Sequence, residues 1–397
     1  MAGIYLHIPF CASRCIYCGF YSTVGQKSLF RQYAEAVKAE IHSRRNFFSS
    51  LPSHYLPFTS IKTLYFGGGT PSLFPMPLLR DIVDTICEEF SIDIDKIEEF
   101  TMECNPDDIT PTLVSEMRAL GVNRVSMGVQ TFSDDRLRFL RRRHHSSQIA
   151  PAFQMLRDGG ISNISIDLMF GFPDETLSDW LSDLHSALAL RPEHISAYSL
   201  MYEEGTPLHR MLLDGKVSEI DEETSRSMYY TLIDTLTAAG YEHYEISNFA
   251  LPGRRSVHNS NYWRDIPYLG LGASAHSYDL TTRSWNPDSL KDYITLLTSD
   301  LRPSTFDPQP LTLDLRPLTF ESIDESKHYN DLITTALRTR EGIAIDALSE
   351  PFRSYLLQTS QEGIQHGYLA IDDGRLHLTR EGLYISDDVL SDLIYLE

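Results

Sequence analysis

Cys11, Cys15 and Cys18 fall within eight residues, at spacings of four and three, just after a β-rich run ending at Ile8. Three soft thiolates on one tight loop can hold three corners of a four-iron, four-sulfur cube. The fourth iron is then left for a ligand that is not protein. The bland alternative is structural zinc, with His7 completing a Cys₃His set. Zinc ligands of that kind usually come as separated pairs, whereas this loop is a single cluster with glycines gathering at equivalent places in the chain. Cys87 and Cys104 stand alone and read as small buried hydrophobes. An odd count of five thiols is a poor disulfide framework.

Other chemistry-bearing residues also follow β-rich runs. Gly67-Gly68-Gly69-Thr70 follows Thr63–Phe66, Glu103 closes Glu99–Glu103, Gln130 follows Arg124–Val129, and Gly171 follows Ile164–Met169. Helical periodicity covers Phe30–Arg44, Pro77–Phe90, Thr110–Leu120, Asp134–Leu140, Ser147–Asp158 and Leu177–Leu190, and Ile195–Leu200 is a sixth strand. Six βα steps in about 200 residues predict an α/β fold, a partial (βα)6 TIM-like barrel, although spacing alone leaves an open doubly wound sheet as an alternative. In parallel βα folds the loops after the strands converge on one rim, so these residues are expected to build one site.

The organisation expected from the pattern is a core over 1–240 and an extension over 241–300 that packs on it. A linker or insert spans 301–324, and a small helical, winged-helix-like module spans 325–397. The insert carries a near-duplicate, Leu301-Arg302-Pro303-Ser304-Thr305-Phe306 and Leu315-Arg316-Pro317-Leu318-Thr319-Phe320, too few copies for a solenoid. The terminal module, with a hairpin over Leu369–Leu378, reads as a lid or docking element. The whole chain has 397 residues, 34 Lys plus Arg against 55 Asp plus Glu, and a formal charge of −21, which argues against a nucleic-acid reader. With 42 % apolar and 11 % aromatic side chains, disorder is excluded. No apolar run reaches the roughly 18–20 residues of a membrane span. Met1-Ala2-Gly3-Ile4-Tyr5-Leu6 lacks the basic start of a signal peptide, so a cytoplasmic location is expected.

The Cys-x₃-Cys-x₂-Cys loop after the first strand of a βα repeat resembles the radical S-adenosylmethionine (SAM) superfamily. The resemblance implies a 4Fe–4S cluster on Cys11, Cys15 and Cys18, SAM chelated by the open iron, an electron donor for the cluster, and a 5′-deoxyadenosyl radical when the sulfonium is cleaved. A closer resemblance covers nearly the whole chain. Ile4-Tyr5-Leu6-His7-Ile8-Pro9-Phe10-Cys11, Phe66-Gly67-Gly68-Gly69-Thr70-Pro71, Gly128-Val129-Gln130-Thr131-Phe132 and Ile166-Asp167-Leu168-Met169-Phe170-Gly171 look like the oxygen-independent coproporphyrinogen III oxidase family. That family has a decarboxylating branch and a heme-chaperone branch. The former carries a fourth cysteine where this chain has Phe20, and an extension ahead of its first cysteine where this chain has ten residues. The latter carries a His-Asn-x-x-Tyr-Trp motif tied to heme, which His258-Asn259-Ser260-Asn261-Tyr262-Trp263 fits.

Three features thus point to the chaperone branch: a protein that binds heme and delivers it to heme-accepting membrane proteins such as respiratory cytochromes, with peripheral membrane contact and no coproporphyrinogen turnover. The alternative is the oxidase, which converts two propionates of coproporphyrinogen III to vinyls. The resemblance assigns Tyr5, Tyr17, Gly68, Gly69, Thr70 and Glu103 to SAM. It assigns Gln130, Arg142 and Asp167 to SAM or a neighbouring pocket, and His258 to heme iron, with no residue given a catalytic role. Each has a bland counterpart. Tyr5 could be a strand aromatic, the glycines a turn, and Glu103 a surface acid. Arg142, in Arg141-Arg142-Arg143-His144-His145, could belong to a solvated basic face, and His258 could be a packing histidine. Ser274 stands in Gly270-Leu271-Gly272-Ala273-Ser274 where relatives are expected to have glycine.

Overall fold

Four runs of six to eight residues, nearly all buried, form a parallel sheet: β1 (Ala2–Ile8), β2 (Ile61–Gly68), β3 (Glu99–Cys104) and β4 (Arg124–Gln130). They lie in the order β1-β2-β3-β4, with Tyr5 opposite Tyr65, Phe66 opposite Met102 and Glu103 opposite Ser126. Burial on both faces is what a sheet covered by crossover helices requires, and explains the near-continuous apolar runs. The computed structural model describes residues 2–51, 60–298 and 319–396, and these strands belong to the first of two units, Met1–Ile164, Tyr202–Leu213 and Pro267–Ser322.

The connecting helices obey local rules visible in the sequence. Pro111–Leu120 starts where the Thr110 hydroxyl accepts from the Leu113 N–H at 3.1 Å, and stops at Gly121, whose φ of +102° suits a residue without a Cβ. Phe30–Ser43 and Met76–Glu89 pack against each other and bury their apolar faces, Tyr33, Val37 and Ile41 on the one and Leu79, Ile82 and Ile86 on the other.

One strand departs from expectation. Tyr268–Leu271, in the 241–300 stretch expected only as an extension packed on the core, pairs parallel with β1, Gly3 opposite Tyr268 and Leu6 opposite Leu271. Its one glycine, Gly270, hides the β pattern for a steric reason. A Cβ on Gly270 would sit 2.0 Å from the His276 carbonyl oxygen of the adjoining antiparallel strand. Glu40 ties this strand to Phe30–Ser43 by accepting from the Gly272 N–H at 2.9 Å, Asn286 at 2.7 Å and the Tyr293 hydroxyl at 2.6 Å. Antiparallel strands His276–Tyr278, Thr282–Trp285 and Thr319–Ser322 extend the edge. Of the duplicated insert, only Thr319 and Phe320 fall within the described residues.

The second unit comprises Ser165–Met201, Asp214–Ile266 and Ile323–Glu397. From Ser165 onward β5 (Asn163–Phe170) lies in this unit and pairs parallel with β6 (His194–Ser199), and two short antiparallel strands, Asn248–Ala250 and Glu242–Glu245, continue from β6. Its C-terminal part has its own core, in which Tyr329, Ile333, Phe352, Leu356, Leu369 and Leu376 join two helices, Glu325–Ala336 and Phe352–Gln365, to the hairpin Leu369–Asp372 and Arg375–Leu378.

Candidate functional site

The cysteine loop is anchored by its apolar residues. Phe10 is buried and packs edge-on against Phe30 at 4.6 Å and Tyr33 at 5.3 Å, and stacks on Phe74 at 5.6 Å. Ile16 plugs the loop's far side, its N–H donating to the Leu140 carbonyl and its own carbonyl accepting from Leu208. A short parallel pairing of Phe10–Cys11 with Thr23–Val24 closes the base. The three cysteines are therefore left half-buried on a rigid turn. Phe20, at the position of the oxidase branch's fourth cysteine, is 72 % exposed.

The glycine loop meets this turn directly. Gly69 donates to the Ile8 carbonyl at 2.8 Å, and a Cβ there would lie 3.0 Å from the Cys11 sulfur. Gly68 has a φ of +110°, and a Cβ on it would come within 2.6 Å of the His7 ring. Both positions demand glycine, for close approach and for the left-handed backbone. Thr70 turns its hydroxyl to the Cys11 sulfur at 3.6 Å.

Glu103 is held at both oxygens. Oε1 accepts from the Tyr65 hydroxyl at 2.8 Å and Oε2 from the Gly68 N–H at 3.0 Å. A carboxylate fixed this way, at a strand end beside a glycine cradle, is preorganised for a cationic or hydroxyl-bearing ligand. Tyr5 and Tyr65 rings lie 6.0 Å apart, and the Tyr5 hydroxyl donates to His7 Nδ1 at 3.0 Å. His7 Nε2 in turn donates to the Tyr21 carbonyl at 2.9 Å. Burial, offset partly by that carbonyl, pushes the His7 pKa down to about 4, so the ring is neutral near pH 7. With both nitrogens occupied, His7 is not the fourth ligand of a zinc site. Among the described residues, no three His, Cys, Asp or Glu side chains converge as ligands of a single ion do.

The basic run is not a solvated face. Arg141 has a φ of +60°, and the next side chain turns inward. Arg142 Nη1 donates to the Cys15 sulfur at 3.5 Å, while Nη2 donates to Asn105 Oδ1 at 2.5 Å and the Gly128 carbonyl at 2.6 Å. Burial opposes the guanidinium charge, but Tyr17, Cys15 and Asp107 outweigh it and hold its pKa up. Arg143 pairs with Asp107 at 2.9 Å and Asp108 at 2.7 Å, and buried His144 donates to the Val129 carbonyl at 3.2 Å. Gln130 is buried at the end of β4 with a φ of +69°, a costly backbone for a residue with a Cβ and one that clusters at functional sites.

Tyr5, Tyr17, Gly68, Gly69, Thr70, Glu103, Gln130, Arg142 and the three cysteines thus all belong to the first unit. Burial pushes the Cys11 and Cys18 thiols up, so the anionic form depends on what the sulfurs bind and on the donors beside them. The residues present fit an iron–sulfur group: three thiols on a rigid turn, a hydroxyl and a guanidinium aimed at two of them, and a side-chain-free cradle alongside. Sequence reasoning missed Asn105. Its Oδ1 holds Arg142, and its Nδ2 lies 3.5 Å from the Thr70 hydroxyl, so one amide links the donors to two sulfurs. The available signal was an amide two residues beyond Glu103, past a strand end.

Asp167 and His258 belong to the second unit. Asp167 lies on β5 opposite Ser196 of β6. His258 is buried on the short helix Val257–Tyr262, whose start is capped by the Ser256 hydroxyl accepting from the Asn259 N–H. Its spacing of four from Tyr262 places the two on one face, and His258 Nε2 meets the Tyr262 hydroxyl at 2.9 Å. Trp263 leaves that pair and packs edge-on to Tyr244 at 6.0 Å.

A βα repeat with a three-cysteine loop and a glycine cradle after its first two strands defines a radical SAM scaffold, and residues 5–187 match the radical SAM superfamily. Residues 323–385 match the HemN C-terminal domain. The chain is 32 % identical to the heme chaperone HemW of Bacillus subtilis, over 98 % of both chains. It is 37 % identical to heme chaperone HemW of a Synechocystis species, over 74 % of this chain and 70 % of that one. In fold it is similar to the coproporphyrinogen III oxidase HemN of Escherichia coli, a radical SAM enzyme, with a TM-score of 0.80 over 99 % of this chain and 90 % of that chain at 20 % identity. The chain belongs to the HemW family of the radical SAM superfamily, and its fold is the partial (βα)6 radical SAM fold with a small C-terminal module.

Proposed function

We propose that this protein is a heme carrier, which binds heme and passes it to heme-requiring acceptors on a scaffold that holds a 4Fe–4S cluster and SAM. The observation that carries this reading is the full-length match to heme chaperones together with Phe20 where the decarboxylating branch has its fourth cysteine. Cys11, Cys15 and Cys18 hold the cluster. When bound, cluster and SAM supply one-electron reductive chemistry at the sulfonium.

The chain's own residues do the positioning. Thr70 and Arg142 place donors on two sulfurs, which favours the anionic thiolates. The cradle of Gly68 and Gly69 admits the methionine end of SAM, and Glu103, Tyr5 and Tyr17 orient it. Gln130, Arg142 and Asp167 serve SAM or a neighbouring pocket. His258 is the heme-iron ligand, released from the Tyr262 hydroxyl when it binds, since imidazole is a common axial ligand. A cytoplasmic carrier with peripheral membrane contact, serving membrane proteins such as respiratory cytochromes, completes the reading. Among the described residues no helix is long and apolar enough to cross a membrane.

Anaerobically purified, cluster-loaded protein should bind heme stoichiometrically and form no protoporphyrinogen from coproporphyrinogen III when given SAM and a reductant. Robust porphyrinogen turnover would return the oxidase reading.

A further inference from the structure

The helix that carries His258 is too short to hold itself. Val257–Tyr262 has six residues, whereas isolated helices below roughly 12–15 residues are marginal in water. Its place in the second unit is therefore set by what pins its two ends, and one side chain, Tyr244, touches both of them. Ahead of the helix, the Ser256 N–H donates to the Tyr244 hydroxyl at 3.3 Å, and the Arg255 guanidinium lies over the Tyr244 ring, 5.1 Å from its centroid. Behind the helix, Trp263 packs edge-on to the same ring at 6.0 Å. Arg255 is itself steered by Glu242, which lies on the strand of Tyr244 and meets its Nε at 3.0 Å.

Tyr244 is in turn fixed from the core. It is buried, and His194, also buried, meets its hydroxyl at 2.7 Å through Nε2 and the Ser165 hydroxyl at 2.8 Å through Nδ1. Ser165 and His194 stand opposite each other on β5 and β6. Since the Tyr244 oxygen accepts from Ser256, its own proton goes to His194 Nε2, and the Nδ1 proton then goes to Ser165. The chain Ser256–Tyr244–His194–Ser165 runs donor to acceptor without a break, from the cap of the helix to the parallel strands. Each member of such a chain polarises and strengthens the next.

We propose that Tyr244 is the positioning residue of the heme-ligand helix, and that Trp263 braces this post instead of stacking on the macrocycle. The inference rests on the heme reading above and deepens it. When His258 leaves the Tyr262 hydroxyl for iron, the helix gives up a contact between its own side chains. The hold of both helix ends on Tyr244 keeps the imidazole aimed. Within the motif, His258 serves the ligand, and the tryptophan serves the backbone that presents it.

The test is a titration of the full-length, cluster-loaded protein with ferric heme. It is read by Soret absorbance and by the EPR signature of imidazole ligation, with far-UV circular dichroism as the check on folding. Tyr244→Phe, Tyr244→Leu and Trp263→Leu accompany the parent, and the double Leu variant closes the cycle. Heme affinity should fall about fivefold in Tyr244→Phe, which keeps the ring and loses one hydrogen-bonding group. It should fall about tenfold in Tyr244→Leu and in Trp263→Leu, which lose the aromatic contact. The imidazole-ligated fraction of bound heme should fall in the same order, a readout that lost stability alone would not move. Because Trp263 acts through Tyr244, the second Leu should cost little beyond the first. Parent affinity and parent ligation in Tyr244→Phe and Trp263→Leu overturn the proposal and leave the heme reading standing. Losses that multiply in the double variant overturn the bracing role of Trp263. Where Tyr244→Leu does not fold, Tyr244→Phe decides. No heme binding by the parent overturns both this proposal and the heme reading.

Discussion

Arg142 is the side chain through which the first unit most directly sets the electronics of its cysteine loop, and replacing it gives a prediction with a computable size. Its guanidinium lies 3.5 Å from the Cys15 sulfur and is fixed by Asn105 and the Gly128 carbonyl. A unit charge about 4 Å from another is worth about 4 kcal/mol at an effective dielectric of 20, and roughly half that with partial solvent screening. Reduction adds one negative charge to the cluster, so the guanidinium stabilises the reduced form. With about 1.4 kcal/mol per 59 mV for one electron, Arg142→Gln should lower the midpoint potential by on the order of 100 mV. Arg142→Lys keeps the charge but not the fork that reaches the sulfur through Nη1 and the oxygens through Nη2, so its drop should be the smaller. The assay is a potential-poised EPR titration of anaerobically reconstituted protein, with iron and sulfide content measured alongside. A fully loaded Arg142→Gln protein with the parent's potential would refute the reasoning.

Three further outcomes follow from the geometry. His258→Ala should weaken heme binding at least tenfold while iron and sulfide content stay at the parent level; equal heme uptake would remove His258 as a ligand. Gly68→Ala forces a Cβ into the His7 ring at a φ of +110°, and should cost about 1–3 kcal/mol and deplete the reconstituted cluster, read by thermal melts and iron content. Stability should fall as pH drops from about 6.5 towards 4. Burial lowers the pKa of His7, His144 and His243 to about 4 each, so the unfolded chain binds more protons in that window. The loss is about 2 kcal/mol per histidine at pH 5, and denaturant melts of the apo protein at pH 7.5 and 5 should show it; equal stabilities would contradict it.

Much of the first unit was legible in the sequence because each βα step carries local punctuation: apolar runs of strand length, a Thr cap at 110, a glycine stop at 121. The cysteine loop and glycine cradle were legible for the same reason, since their chemistry lies in residues adjacent along the chain. The strand Tyr268–Leu271 was not, because its partner β1 is more than 260 residues away and its glycine, Gly270, answers to a steric demand from His276. Arg142 is placed at the site by the resemblance alone, its residue type reading equally as one cation of a solvated run, and only the turn at Arg141 and the oxygens of Asn105 and Gly128 explain its inward course. Asn105 carried no signal of its own, as its role exists only once Thr70 and Arg142 come together. Ser274, noted where relatives are expected to have glycine, has a φ of +64°, the conformation glycine adopts without strain.

A carrier must release what it binds, so transfer is the most direct test. Heme-loaded, cluster-containing protein is mixed anaerobically with the apo form of a respiratory b-type cytochrome, and the Soret bands of donor and acceptor are followed. The account expects one equivalent of heme to move to the acceptor, faster than from free heme competed by albumin. Heme that stays on the donor, or moves no faster than from solution, would contradict it.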